Sequence, residues 1–126
     1  MKVSPDSPSW WHGVSPDGRT LTYVAARDER KVIDVYTLVP GQEEKRLTNG
    51  EGHCDGPDFS PDGGRIYYNC DRTGHAQIWV MDAEGASVRR PTFGNQFDTQ
   101  PRWSPRGDAI VFTRRTAGGV DLWAIA

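Results

Sequence analysis

A four-residue motif that recurs at a nearly constant interval constrains this chain more than any other feature. Ser15-Pro16-Asp17-Gly18 is followed by Ser60-Pro61-Asp62-Gly63 and by Ser104-Pro105-Arg106-Gly107, at spacings of 45 and 44 residues. Proline presets φ at the second position, Asp bonds nearby backbone and Gly adopts positive φ, so each copy predicts a β-turn. Self-similarity at a fixed period of this length is typical of repeat architectures.

The residues between the turns repeat as well. An aliphatic residue follows each Ser by six positions and an aromatic residue by eight: Leu21, Ile66 and Ile110, then Tyr23, Tyr68 and Phe112. A further apolar run lies at 35–38, 78–81 and 122–125, and the segments 45–48 and 89–92 close the first two copies. Short continuous apolar runs favour strands packed on both faces. About four such strands per repeat predict an all-β chain of β-propeller blades with essentially no helix.

This pattern resembles the TolB-type β-propeller repeat family, and the resemblance covers nearly the whole chain. It is carried by Pro57–Gly63, Ile66–Tyr68, Asp71–Gly74 and Ile78–Asp82, and again by Pro101–Gly107 through Trp123. The resemblance implies a six-bladed ring and a periplasmic location, as for TolB itself. No apolar signal segment is found at the N-terminus, however, so we expect a cytoplasmic or recombinant setting.

Three departures from the repeat are visible. The first copy has His12-Gly13-Val14 where the others have Pro-x-aromatic, Arg106 replaces the Asp of the turn, and Pro91 replaces a leucine. We expect Pro91 to be tolerated because it falls in the last strand of a blade, which is an edge strand.

The repeats predict a single segment of three blades, at about 9–48, 53–92 and 97–126, with the third lacking its outer strand. Propellers close with roughly four to eight blades, and three would leave two apolar faces open. We therefore expect a homodimer that makes a six-bladed ring. The N-terminal strand 1–4 of one copy would complete blade three of the other and pair an open sheet edge. The predicted assembly residues are Lys2, Val3, Ser4, Leu122, Trp123 and Ile125.

Several polar and aromatic residues precede the turns and are candidates for binding in the channel or its loops. They are His12, His53, Asp55, Asp98, Trp10 and Trp11. Channel-facing carboxylates and imidazoles would suit a cation or a polar ligand. The alternatives are loop-end polar residues for the histidines, Asx turns for the two Asp and buried packing for the tryptophans. The sequence contains no close metal-ligand spacing, and we expect no metal or cofactor.

Cys54 and Cys70 flank the second turn at positions that a hairpin would place opposite each other. A disulfide and a pair of adjacent buried thiols are both open at this point. Each Ser-Pro serine lies at a turn and no Gly-x-Ser-x-Gly elbow is present, so we expect no enzymatic activity. Arg27, Arg72 and Arg115 are expected to pair with acidic loop residues between blades.

Charge and hydropathy limit the classes of partner. With 15 basic and 17 acidic residues the net charge is −2, which leaves no electrostatic footprint for nucleic acid. No apolar run is long enough for a membrane helix. We expect a non-enzymatic propeller half acting as a self-assembling scaffold or a protein- or ligand-binding module, either engineered or a fragment. The alternatives are a detached propeller portion of a prolyl-oligopeptidase-like hydrolase and a module that binds a cation or carbohydrate in the channel.

Overall fold

The chain folds entirely as β-strands and turns in the part that the structure describes. The structure is a computed structural model, and it describes Lys2 and residues 9–27, 32–94 and 96–126, without the side chain of Trp11. The strands are β1 (Ser9–Val14), β2 (Leu21–Ala25), β3 (Asp34–Leu38), β4 (Lys45–Arg46), β5 (Cys54–Phe59), β6 (Arg65–Cys70), β7 (Gln77–Asp82), β8 (Phe97–Trp103), β9 (Ile110–Thr116) and β10 (Gly119–Ile125). The predicted all-β class is confirmed.

The strands form three antiparallel sheets in chain order, and each sheet is one blade. Blade one contains β1-β2-β3-β4, blade two β5-β6-β7, and blade three β8-β9-β10. An isolated bridge between Val80 and Arg89 stands where blade two would have its outer strand. Blade three ends at β10, with no strand beyond it among the described residues.

The predicted turns have the same internal hydrogen bonds in the first two blades. Ser15 Oγ donates to Asp17 Oδ1 at 2.6 Å, and Ser60 Oγ donates to Asp62 Oδ1 at 2.6 Å. Gly18 has a φ of 74°, in the region that favours glycine. The hydrogen-bonded serine hydroxyl and the glycine with positive φ together fix the hairpin between the first two strands of a blade.

Blade three closes the same turn with a different acid. Arg106 occupies the usual place of the Asp, and Ser104 Oγ instead donates to Asp108 Oδ1 at 2.6 Å. Ala109 N donates to Ser104 Oγ at 3.2 Å, as the equivalent backbone groups do in the other blades. The departure at Arg106 is therefore compensated two residues later, which the sequence analysis did not anticipate.

Two apolar cores lie between consecutive blades. Val24 and Val35 of blade one pack with Ile66 and Tyr68 of blade two. Tyr67, Ile78 and Val80 of blade two pack with Ile110 and Phe112 of blade three, with Trp103 and Ile125 at the margin. Blades one and two thus bury residues on both faces, which explains the continuous apolar runs in their sequences.

Candidate functional site

The outward face of blade three is the part of the molecule that differs most from its equivalents. The pairs Tyr23↔Tyr36, Tyr68↔Trp79 and Phe112↔Trp123 align the three blades position by position. In that alignment Val35, Ile78 and Leu122 occupy the same place. Val35 and Ile78 are 0% exposed, whereas Leu122 is 77% exposed. A position that is core in two blades is therefore surface in the third.

We call this surface the blade-three face. Cross-strand register places Leu122 opposite Thr113 and Ala124 opposite Val111, so these four side chains share one side of the sheet. Val120 lies two residues before Leu122 on the same side, and Val120 and Val111 are also exposed. An apolar face of this kind is characteristic of an interaction surface.

The predicted assembly residues at the C-terminal end are divided between the two sides of the sheet. Leu122 lies on the blade-three face. Trp123 alternates to the other side and is half exposed, with the Arg114 guanidinium 4.7 Å from its ring centroid. Ile125 packs against the core between blades two and three. Lys2 is described and exposed, while Val3 and Ser4 lie outside the described residues.

The opposite end of the blade stack is closed, contrary to the expectation of two open faces. Tyr23, Ala25, Tyr36 and Leu38 would form the open face of blade one, and all four are buried. Tyr23 Oη donates to Glu44 Oε2 at 2.5 Å. Among the described residues, the apolar side chains on the end face of blade three are therefore exposed, whereas those on the end face of blade one are buried.

An ion pair reinforces the blade-one end. Arg27 Nε donates to Glu44 Oε1 at 2.7 Å, and the Arg27 guanidinium lies 5.5 Å from the Tyr36 ring centroid. Burial alone would raise the pKa of Glu44, but hydrogen bonds from Arg27 and Tyr23 outweigh it and lower that pKa. This ion pair lies within blade one, since Glu44 belongs to the same blade as Arg27, and pairing of Arg27 between blades stays a prediction.

Each innermost strand carries a β-bulge at the same place. The register shifts between Trp10 and Gly13 in β1, between Asp55 and Asp58 in β5 and between Thr99 and Arg102 in β8. The bulge of β8 holds Gln100 at a φ of 54°, which is uncommon for a residue other than glycine. Bulges redirect side chains, and here they orient the residues that line a cleft between blades two and three.

Asp55 lines this cleft and Asp98 does not. The two lie one register position apart, since Asp55 pairs with Asn69 while Asp98 pairs with Arg114. Adjacent positions on a strand face opposite sides, so the offset separates their roles. Asp98 is 0% exposed and receives Arg114 Nε at 2.7 Å and Nη2 at 2.9 Å, rather than capping backbone as in an Asx turn.

The cleft has a volume of about 580 Å³, and polar and apolar residues both line it, with Val111 and Leu122 of the blade-three face among the apolar ones. Asn69 Nδ2 donates to Asp55 Oδ1 at 2.5 Å. Burial raises the pKa of Asp55, with a smaller contribution from the nearby Asp71 carboxylate. Asn69, Gln100 and Arg102 join Asp55 there and were missed by the sequence analysis, because only the bulge geometry brings them together. Ligand binding at Asp55 stays a prediction.

The two cysteines form a disulfide. Cys54 and Cys70 are paired across β5 and β6, and their Sγ atoms are 2.19 Å apart. This result decides between the two alternatives left by the sequence. Cys54↔Cys70 in blade two occupies the same cross-strand position as Asp98↔Arg114 in blade three and Ser9↔Ala25 in blade one.

The three blades together match a known family of propeller domains. The TolB beta propeller domain family matches residues 3–125. The chain belongs to that family. A TolB-like protein of Agrobacterium tumefaciens aligns with 98% of this chain and 47% of its own, at a TM-score of 0.88 and 41% identity. TolB from Acinetobacter baumannii aligns with 90% of this chain and 28% of its own, at a TM-score of 0.78 and 27% identity.

Sequence relatives give the same assignment. An uncharacterized protein of Agrobacterium fabrum is 48% identical over 115 residues, which are 90% of this chain and 39% of that protein. The Tol-Pal system protein TolB of Bordetella pertussis is 32% identical over 118 residues, which are 93% of this chain and 26% of that protein. The chain therefore spans less than half the length of these TolB-type relatives.

The remaining candidates of this TolB-type chain are dispersed. His12 is exposed in the bulge of β1, and His53 is exposed just before β5, where its backbone N–H donates to Asp71 Oδ1 at 2.8 Å. Trp10 is 46% exposed, so the alternative of buried packing is wrong for this residue. In the described part of the chain no group of three or more His, Cys, Asp or Glu side chains could hold a metal ion. Likewise, none of the described segments forms a helix that could cross a membrane.

The other two arginines of the predicted series depart from the expected inter-blade ion pairs. The Arg72 guanidinium lies 4.2 Å from the Trp79 ring centroid, and its Nη2 donates to Tyr68 Oη at 2.9 Å. Arg115 is exposed on β9, and its neighbour Arg114 makes the buried ion pair with Asp98. Arg72 therefore serves packing against aromatic rings rather than charge pairing.

Proposed function

We propose that this chain is a non-enzymatic, self-assembling segment of a TolB-like propeller that docks through its blade-three face. In the simplest assembly a second copy supplies the missing neighbour, and two sets of three blades make a six-bladed ring. The observation that carries this proposal is the 77% exposure of Leu122, against 0% for Val35 and Ile78 at the equivalent positions. The partner expected at Leu122 is therefore another blade.

The free energy available at this face is appreciable. Fully burying an aliphatic side chain of this size contributes roughly 1.5–3 kcal/mol. Leu122 and Val120 are both more than half exposed. Burying these two, together with Val111, would recover the kind of contact that the cores between blades already make.

The length of the relatives is consistent with a ring of two copies. The chain covers 47% of the Agrobacterium tumefaciens structure, so two copies would contain about as many residues as that structure. A closed ring also needs the blade-one end, where Tyr23 and Tyr36 are already buried within one chain. Ring closure therefore requires blade three of the partner to pack against the blade-one end and to replace the contacts that bury these tyrosines within one chain.

A non-enzymatic role is supported by the bonding of the potential nucleophiles, the turn serines and the two cysteines. Each Ser-Pro serine donates its hydroxyl to a turn carboxylate at 2.6 Å and accepts a backbone N–H, so the hydroxyl is used in closing the turn. The two cysteines are consumed by the disulfide. That disulfide also favours an oxidising compartment over the cytoplasm expected from the N-terminal sequence.

Solution mass across a dilution series tests the assembly. We expect light scattering on a size-exclusion column to give twice the 14.1 kDa of one chain. Leu122→Asp should give a monomer, because a charge would be buried in an apolar contact. Val88→Asp is the matched control, since Val88 is also an exposed aliphatic residue but lies outside the blade-three face. A monomeric parent, a larger closed oligomer, or a Leu122→Asp variant that still dimerises would each refute the six-bladed ring.

A further inference from the structure

Blades one and two place an arginine at the same position beside their aromatic pair, but with different partners. Arg27 follows Tyr23 by four residues, as Arg72 follows Tyr68. In blade one Arg27 Nε donates to Glu44 Oε1 at 2.7 Å. In blade two Arg72 Nη2 donates to Tyr68 Oη at 2.9 Å, and Arg72 makes no ion pair with any acidic side chain that the structure describes. The two blades thus share the arginine but not the acid.

Strand register shows which residue stands where blade one has its acid. Lys45 pairs with β3 at the position where Arg89 bridges β7 in blade two. The preceding residue is Glu44 in blade one and Val88 in blade two. Val88 is 43% exposed. A shorter, apolar and exposed side chain therefore stands in place of the carboxylate that Arg27 binds.

Two guanidinium groups meet one indole ring at this place in blade two. The Arg72 guanidinium lies 4.2 Å from the Trp79 ring centroid, and the Arg90 guanidinium lies 5.9 Å from it. Arg90 is also 4.5 Å from the Phe93 ring centroid, and its Nη1 donates to Thr73 Oγ1 at 3.1 Å. Neither arginine pairs with an acid in the described part of the chain. We call the four side chains of Arg72, Trp79, Arg90 and Phe93 the arginine–aromatic site.

Two hydrogen-bond donors of the arginine–aromatic site are buried without an acceptor. Among the described residues neither Arg72 Nε nor Trp79 Nε1 has a hydrogen-bond partner, although both atoms are buried. A buried donor that is left unpaired is unfavourable, and such a group calls for an explanation. Arg72 Nε is the counterpart of Arg27 Nε, which donates to Glu44. The nitrogen that binds a carboxylate in blade one is thus free to bind one in blade two.

We propose that the arginine–aromatic site binds the carboxylate of an acidic peptide segment supplied by another protein. A carboxylate is expected because blade one holds that of Glu44 against the equivalent arginine. Guanidinium groups bind carboxylates through parallel, charge-assisted hydrogen bonds, and a second guanidinium nearby adds to the attraction. Phe93 is 65% exposed beside Arg90, so an apolar residue next to the acid would find a contact. By analogy with Glu44, the acid would enter beside Val88.

The site is separate from the assembly proposed above. Tyr68 and Trp79 pack in the core between blades one and two, whereas the blade-three face belongs to a different blade. Peptide binding at the arginine–aromatic site and dimerisation through the blade-three face can therefore succeed or fail independently. Substitutions at Val88 leave the residues of the blade-three face unchanged.

An NMR titration of the isotope-labelled chain with the blocked dipeptide acetyl-Phe-Glu-amide tests the proposal on the donors themselves. We expect saturable shifts of the Trp79 indole N–H and Arg72 Nε–H signals. Acetyl-Phe-Gln-amide should bind about tenfold more weakly or less, because it lacks the charge. Arg90→Gln should weaken binding of the Glu peptide by a similar factor. Arg89→Gln is the matched control, since it removes the same charge from the other face of the outer strand, and it should leave the affinity within about twofold.

A carboxylate added to the chain itself gives a second test. Val88→Glu places an acid where Glu44 stands in blade one, so we expect it to raise the melting temperature and to weaken the Glu peptide about tenfold or more by occupying the site intramolecularly. Val88→Gln has the same size without the charge and should bind the peptide as the parent does.

The outcomes separate the parts of the proposal. The site would be overturned by the absence of a saturable shift at both donors, by equal affinity for the two peptides, or by equal loss in the two Val88 variants. Glutarate binding as tightly as the Glu peptide would overturn a peptide source. Inorganic phosphate binding more tightly than glutarate would overturn the choice of a carboxylate. A monomeric parent that still binds the peptide would leave this inference standing and refute only the proposed assembly.

Discussion

Replacing Arg114 by methionine tests whether a buried ion pair carries the stability of blade three. Asp98 is 0% exposed and the Arg114 side chain 16%, and two hydrogen bonds join them in bidentate geometry. Methionine preserves most of the contact that the Arg114 side chain makes with the Phe112 and Trp123 rings, whose centroids lie 5.3 and 4.7 Å from the guanidinium. The substitution therefore removes the charge and its hydrogen bonds while retaining much of the packing.

The expected loss follows from the burial of the carboxylate. Removing one partner of a buried pair costs about 3–5 kcal/mol, because the remaining charge is left without a partner. Arg114 retains some contact with water, so we expect the lower end, about 3 kcal/mol. A domain of this size has a total stability of roughly 5–15 kcal/mol. The melting temperature should therefore fall by about 10 °C.

The assay is thermal and urea unfolding of the parent and three variants. Arg115→Met is the matched control, because Arg115 is exposed on the same strand, and it should change stability by less than about 0.5 kcal/mol. The double variant Asp98→Cys with Arg114→Cys should form a disulfide and recover most of the loss, since its register is that of Cys54↔Cys70. A loss below about 1 kcal/mol for Arg114→Met, or a double cysteine variant that stays reduced under oxidising conditions, would refute the reasoning.

Three further results are expected from the same unfolding measurements. The hydrogen bond from Arg27 lowers the pKa of Glu44 below its ordinary value of 4.5, so the stability it contributes is complete above that pH and is lost as the pH falls through the lowered value. Glu44→Gln should flatten this acid decline, and an unchanged pH profile would contradict it. Gly13→Ala should cost about 1–3 kcal/mol, because its Cβ would lie 2.9 Å from the backbone Cα of Asp58, whereas Gly118→Ala has ordinary contacts and should be nearly neutral. Reducing the blade-two disulfide should cost about 3 kcal/mol for its 16-residue separation, and a melting temperature insensitive to reductant would count against it.

Sequence reasoning succeeded where a local turn determines distant pairing. The Ser-Pro-x-Gly turn fixes hairpin register, and that register predicts Cys54 opposite Cys70, as the structure has it. The same logic predicts strand order within each blade, because consecutive strands joined by short turns pair as neighbours. The TolB-type assignment rests on these repeated local features.

The candidate site was less predictable because it depends on one-residue offsets. Asp55 and Asp98 appear almost equivalent in sequence, but the structure places them at successive positions of the blade alignment. A shift of one residue exchanges the two faces of a strand, so one carboxylate lines the cleft and the other is buried in an ion pair. The difference is visible when residues are aligned by their cross-strand partners rather than by their distance from the turn.

The same cross-strand position is occupied by a different pair of residues in each of the three blades, although the backbone register is the same. In blade two it holds a disulfide, in blade three an ion pair, and in blade one Ser9 beside Ala25, with Arg27 Nη2 donating to Ser9 Oγ at 2.8 Å. Backbone register fixes the separation and the burial of the two side chains. Any two side chains that pair with each other at that separation can occupy this position, because a buried polar group is costly only when its partner is missing. Exchange of both members between blades should therefore be tolerated where exchange of one is not.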